Sequence, residues 1–415
     1  MSFEESIYLV AFLIEVGVLF YLEKKTWCTF YTPLNFLMVP YTIVLIITIL
    51  FSGGNSGLVD FYYPSIFIWD IGLLLFAIPS LFIGYLLRAN NVQVKSSFPI
   101  DCFPNILIIL SFLLSVLFVL HLKSMLGSSV EALGSDDFGE DFSGGGLWGH
   151  LRQLTMPLLM MSIFYVSKER WWLWPIILVF LAVSVLNQVK GWIIIPVIAA
   201  MAMRLYTKKT RLTFRFFVYG LIGVFAVFFL SYALSILLVQ NRGVSGEFLE
   251  FILGHFLHYL TSGTLGFSID MQRGFPDVGE FETLWCPVIN IINVITGNDK
   301  MLSPINPYYY HTGINYTNVR TLFGTVFLNS SMVEFIVYTL LLSSVSYGLK
   351  LATLKWNNIY MYVIYFFECT LLAMGWFEFY FFHLIALELP VLVLFLWGVE
   401  WCLRGDGRVE ENSEI

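Results

Sequence analysis

Long apolar runs separated by short polar breaks dominate the chain. A helix that crosses a bilayer needs about 17–25 mostly apolar residues. Runs of that kind occur at 5–22, 34–52, 66–87, 103–122, 151–167, 171–187, 190–206, 214–239, 329–349, 358–374 and 378–399, which predicts eleven spans. Two stretches break the rhythm. Residues 123–150 are acidic and glycine-rich and read as a water-exposed outer loop, either a solvated connector or a gate. Residues 241–320 are of mixed polarity and carry a helix signal of their own. There Ser245 precedes Glu247 and Glu250, and Phe248, Phe251, Ile252, His255, Phe256, Tyr259 and Leu260 recur at three- and four-residue spacing. This predicts an amphipathic helix to about Met271, its apolar face docked on the bundle. Glycine, proline and asparagine between Gln272 and Tyr316 then predict an ordered loop rather than a span.

Composition agrees with the pattern. Of 415 residues 58% are hydrophobic and 12% charged, with a mean hydropathy of +0.79, where a soluble domain carries about 25% charged residues. The expected fold class is therefore an all-α integral membrane protein, one polytopic domain over residues 1–415 with a long, partly helical extracytoplasmic loop. The first apolar run follows Glu4 and Glu5 rather than a basic segment and lacks a small-residue cleavage site, so it is expected to stay as a span. With the N-terminus outside, 15 of the 22 Lys and Arg fall in inner loops and 7 in outer ones, which predicts N-out, C-in. Five scattered cysteines indicate neither a disulfide framework nor a metal site. A net charge of −7 with dispersed basic residues gives no reason to expect nucleic acid as a partner. No GxxxxGK[ST] motif is present, and no inverted repeat of broken spans marks a secondary transporter. Asp70, Gly72 and Pro79 inside one span keep a transporter among the alternatives.

The outer cations narrow the chemistry. Lys190, Arg242 and Arg320 are each expected at a helix N-terminus, Arg320 in a helix that Thr317 could cap. A cation there costs about 0.3–1 kcal/mol unless an anion is bound. Together the three predict a phosphate-type site. His255 and His258, one turn apart, make weak metal ligands without a third partner. His311 and Asp270 are candidates for proton transfer or sugar binding, and Tyr308, Tyr309 and Tyr310 offer flat faces that suit sugar rings. Glu280 and Glu282 are expected to face water.

Asn187-Gln-Val-Lys-Gly191, Gln240-Asn-Arg242, the segment His258-Tyr-Leu-Thr-Ser-Gly-Thr-Leu-Gly-Phe267 and Thr317-Asn-Val-Arg-Thr-Leu-Phe-Gly324 together resemble the Wzy-type polymerases of bacterial O-antigen and capsule repeat units. The resemblance implies an integral-membrane, GT-C-like glycosyltransferase in the bacterial cytoplasmic membrane, working at its outer face on oligosaccharides carried by undecaprenyl pyrophosphate. It implies no cofactor, neither nucleotide sugar nor metal, and as partners the membrane lipid, a chain-length regulator and a flippase. Carried onto this sequence, Arg242, Arg320 and Lys190 would bind the lipid pyrophosphate, His258, Tyr309 and Tyr310 the sugar, and His311 or Asp270 would assist the acceptor hydroxyl. Family members are often drawn with twelve spans and both ends inside. An O-antigen ligase, and a lipid-linked oligosaccharide flippase or polysaccharide transporter, are the alternatives.

Overall fold

A computed structural model describes residues 3–54, 56–89, 103–126, 146–186, 190–215, 246–274 and 279–404, with seven further residues scattered between 218 and 229. The expected outer loop at 123–150 and the expected span at 214–239 fall largely outside the described residues. The described residues are mostly helical. In order come α1 (Phe3–Trp27), α2 (Pro33–Phe51), α3 (Ile66–Ala89), α4 (Asn105–Leu126), α5 (Leu147–Tyr165), α6 (Leu173–Leu186) and α7 (Lys190–Tyr206). After these follow α8 (Gly246–Arg273), α9 (Cys286–Thr296), the hairpin β1 (Tyr310–His311) and β2 (Tyr316–Thr317), α10 (Leu322–Leu328), α11 (Met332–Trp356), α12 (Ile359–Ala373) and α13 (Ile385–Arg404). Among the described residues seven helical stretches are long and apolar enough to cross a membrane, and Leu173–Leu186, Gly191–Tyr206 and Phe281–Thr296 are shorter apolar helices.

Two compact units emerge. The first holds Met1–Ser96, Gly246–Lys355 and Glu368–Ala386, the second Ser97–Ser245, Trp356–Phe367 and Leu387–Ile415. In the second, exposed helix ends are satisfied by buried charge. The Glu400 carboxylate accepts from the backbone N–H groups of Asn105 (3.2 Å) and Ile106 (3.0 Å) at the start of α4, where the helix dipole favours an anion. Arg204, in the last turn of α7, donates to the carbonyls of Ile163, Phe164 and Val166 at the end of α5.

The first unit carries the long loop, and its core is aromatic. Trp69 of α3 stacks on Tyr41 of α2 and meets Phe323 of α10 edge-on at 4.8 Å. Its indole N–H donates to Thr321 Oγ1 (3.0 Å), and the same hydroxyl caps α10 by accepting from Gly324 N (3.2 Å). Thr321, not Thr317, is thus the cap, and Arg320 lies just before a seven-residue helix rather than in its first turn. The amphipathic helix expected in the loop is α8, and it is more deeply set than its spacing suggests. From Thr261 to Asp270 every residue is buried.

Candidate functional site

Small residues let α8 sink that far. A Cβ on Gly263 would come within 2.2 Å of the Phe377 carbonyl oxygen, and one on Gly266 within 2.6 Å of the Val319 carbonyl oxygen. Only glycine leaves room for two other chain segments, 376–377 and 319–320, to lie directly on the helix backbone. Both segments lead into one site. Val319 is followed by Arg320, and Phe377 by Glu378.

Arg320 is 2% exposed and Asp270 1%, and they form a buried ion pair. The guanidinium donates Nε–H to Asp270 Oδ2 and Nη2–H to Oδ1, and two further N–H groups go to the carbonyls of Val319 (3.0 Å) and Tyr308 (3.3 Å). Tyr310 completes the cluster. Its ring lies under both Arg320 (4.7 Å) and Arg273 (4.8 Å), and its hydroxyl donates to Asp270. Burial and the Asp270 carboxylate together push the Tyr310 phenol above its ordinary pKa. Asp270 therefore faces donors on several sides, and the anion that Arg320 holds is part of the protein.

The wall beyond this pair is a loop shaped by asparagines. Asn290 of α9 accepts from Leu302 N (2.8 Å) and donates to Leu302 O (2.9 Å), as a neighbouring strand would, and Asn293 donates to Lys300 O (2.5 Å). Asn306 Oδ1 accepts from Tyr308 N (2.9 Å), turning the chain toward Arg320. The result is a cavity of about 630 Å³, within the usual range for small-molecule sites. Asp270 and Arg320 form its floor, with Ser303 to Tyr308, Asn318 and Asn329 along the sides and Glu280, Thr283 and Glu378 completing the lining. Three carboxylates face it against one guanidinium. Such a lining favours a neutral polyhydroxylated ligand over a pyrophosphate.

The other sequence candidates separate. Arg242 lies outside the described residues, as does the side chain of Lys190, whose backbone opens α7 in the second unit. His311 follows Tyr310 on β1, so it points to the opposite, exposed face. There it packs edge-on against Tyr316 (4.9 Å) and accepts from Gly313 N (3.1 Å). It does not line the cavity, so of the two candidates for proton transfer only Asp270 belongs to this site. Tyr309 is 59% exposed and also lies outside the lining. His258 is buried beneath the hairpin, bonded to Thr312 Oγ1 (2.9 Å), with its pKa lowered to about 4 by burial and the nearby His255. It ties α8 to the hairpin and does not line the cavity. No group of three metal-binding side chains occurs among the described residues.

A family model matches residues 57–401, most of the chain and the whole of this cavity. The protein belongs to DUF6337, a family of unknown function. No curated protein and no solved structure matches it. The cavity of this DUF6337 member includes two residues that sequence reasoning missed or set aside, Glu378 and Glu280. Glu378 pairs with His383 at 3.5 Å. The sequence reading placed both in a last span at 378–399, whereas the helix begins at Ile385 and residues before it form two short 3-10 turns. The signal was available, because two ionisable residues within a nominal span mark a site by default.

Proposed function

We propose that this DUF6337 member is a membrane glycosyltransferase that joins oligosaccharide repeat units carried on undecaprenyl pyrophosphate, as a Wzy-type polymerase does. One observation carries the reading: a cavity of about 630 Å³ that sets carboxylates, amides, hydroxyls and Tyr308 among apolar side chains such as Ile305, Leu328 and Phe382, built on the long loop between apolar helices. A sugar offers many hydroxyls and no charge, which is what this lining can satisfy. In this reading the protein has eleven spans with the N-terminus outside, a GT-C-like plan, and the cavity opens on the outer face of the cytoplasmic membrane. The cavity takes the acceptor glycan. The lipid pyrophosphate, the leaving group, meets cations outside this pocket, for which Arg242 and Lys190 remain the candidates.

A transporter has one observation in its favour. Glu15 of α1 and Asp70 of α3 lie close enough to interact electrostatically, and each keeps a buried carboxylate oxygen without a hydrogen-bond partner. Intramembrane acids of this kind serve proton and cation pathways.

Deleting the gene in its native host separates the two. A polymerase predicts surface lipid that carries a single repeat unit and no long chains. Loss of all repeat units from the surface supports transport, and unchanged long chains overturn both. A reporter fused after Gly279, at the rim of the cavity, is expected to report an extracytoplasmic position.

A further inference from the structure

Of the two cavity carboxylates that are not exposed, Asp270 and Glu378, Glu378 has the fewer claims on it. Asp270 is held by Arg320 and Tyr310, and Glu280 stands exposed at the rim. Glu378 is 23% exposed, lines the cavity, and has one ion-pair partner, His383 at 3.5 Å. The backbone that bears it is fixed. Phe377 N and Glu378 N both donate to the Met374 carbonyl (2.9 and 3.3 Å), and the Trp376 and Phe377 carbonyls rest on Gly263. His383 is fixed as well, its N–H donating to Tyr380 O (3.2 Å) with the two rings 5.9 Å apart. A carboxylate on a rigid turn, backed by an imidazole and facing a cavity of sugar size, has the geometry of a general base with its orienting partner.

We propose that Glu378 accepts the proton of the acceptor hydroxyl during glycosyl transfer and that His383 positions it. This rests on the glycosyltransferase reading above. In the step, the acceptor oxygen bonds to the anomeric carbon of the donor as its proton passes to Glu378. The bond from that carbon to the lipid pyrophosphate breaks, and the electron pair leaves with the pyrophosphate. The titratable and charged groups that face Glu378 are His383, Tyr380, Glu280, Asp270 and Arg320.

The test uses the full-length protein in nanodiscs and, as probe, the lipid-linked saccharide extracted from the deletion strain. Glu378→Gln is expected to extend chains at least about 100-fold more slowly than wild type, the usual worth of a general base. Glu378→Asp should recover part of the rate, and His383→Gln should move the acid limb of the pH profile while leaving a measurable rate. Retention of wild-type rate by Glu378→Gln overturns the proposal. If Glu378→Gln does not fold, Glu378→Asp decides, since a shortened base must slow the reaction and a spectator need not. A deletion strain that keeps its long chains and yields no acceptor for wild-type protein overturns the glycosyltransferase reading, and this proposal with it. Wild-type activity with an indifferent Glu378 overturns this proposal alone.

Discussion

Tyr310 and His311 are neighbours on a two-residue strand and live in different worlds. Tyr310 faces inward, 9% exposed, and closes the Asp270–Arg320 pair, whereas His311 faces water beside Tyr316. On sequence grounds Asp270 and His311 qualify equally for proton transfer. Strand alternation puts Tyr310, which bonds Asp270, and His311 on opposite sides of one backbone. The contrast shows that a cluster of reactive residue types is not yet a site. Inside, the charged groups are tied to each other and serve as scaffold. Outside, the histidine is accessible and does not line the cavity.

The sharpest way to break this contrast is to remove the inner cation. Arg320→Ala leaves Asp270 buried without its partner, which should cost about 3–5 kcal/mol of stability, read from thermal unfolding in detergent. Replacing both, Asp270→Leu with Arg320→Met, should recover much of the loss, since the penalty comes from the orphaned charge. If Arg320→Ala unfolds with wild-type stability, the pair is not scaffold. A smaller effect comes from His258 beneath the hairpin. Its pKa of about 4 lies below the ordinary 6.5, because burial disfavours the charged ring. The unfolded chain therefore binds the proton first as pH falls. Stability is whole above about pH 6.5 and declines toward pH 4, by up to ~3 kcal/mol. His258→Gln should flatten that decline, and an equal slope in both proteins would show that the ring is not the cause. Next in size is Gly263→Ala, whose methyl would press on two backbone carbonyls and should cost about 1–3 kcal/mol in the same unfolding assay. A neutral result would mean that segment 376–377, and Glu378 after it, is free to move away from α8.

Periodicity reveals elements far better than it reveals partners. The boundaries of α2, α3 and α12 follow closely from runs of apolar residues, α1 and α11 run on past the predicted ends at Leu22 and Leu349 to Trp27 and Trp356, and α8 follows from its three- and four-residue spacing. Helix α9 lies where only an ordered loop is expected from the sequence, although its end signals stand in the chain. Pro287 stands just inside its start, Gly297 at φ 71° just past its end, and Val288, Ile291, Ile292 and Ile295 recur on one face. The expected loop between Gln272 and Tyr316 therefore contains a helix, hidden because Asn290 and Asn293 dilute its apolar pattern. What no local pattern holds is the pairing of Asp270 with Arg320 across 50 positions, or the arrival of Glu378 at the same cavity. The aromatic run from Trp376 to Phe382 misleads for a physical reason. It is apolar enough for a span, yet its bulk is spent packing 3-10 turns against the core, where Phe379 contacts Tyr338, Phe381 and Phe382.

The smallest predicted effect is the most exacting for the comparison of the two faces. His311→Ala removes an exposed ring that accepts one backbone N–H, from Gly313, and touches Tyr316. Its stability cost should be about 0.5 kcal/mol or less. Because His311 stands outside the cavity, chain length of the surface polysaccharide should also stay at the wild-type distribution in the native host. The two readouts separate the roles open to this residue. A protein of unchanged stability that loses its long chains would place His311 in contact with substrate, and the hairpin's outer face would then be a working surface. Glu378 and His311 would in that case act on one ligand from two sides of the hairpin, and the cavity alone would no longer define the site.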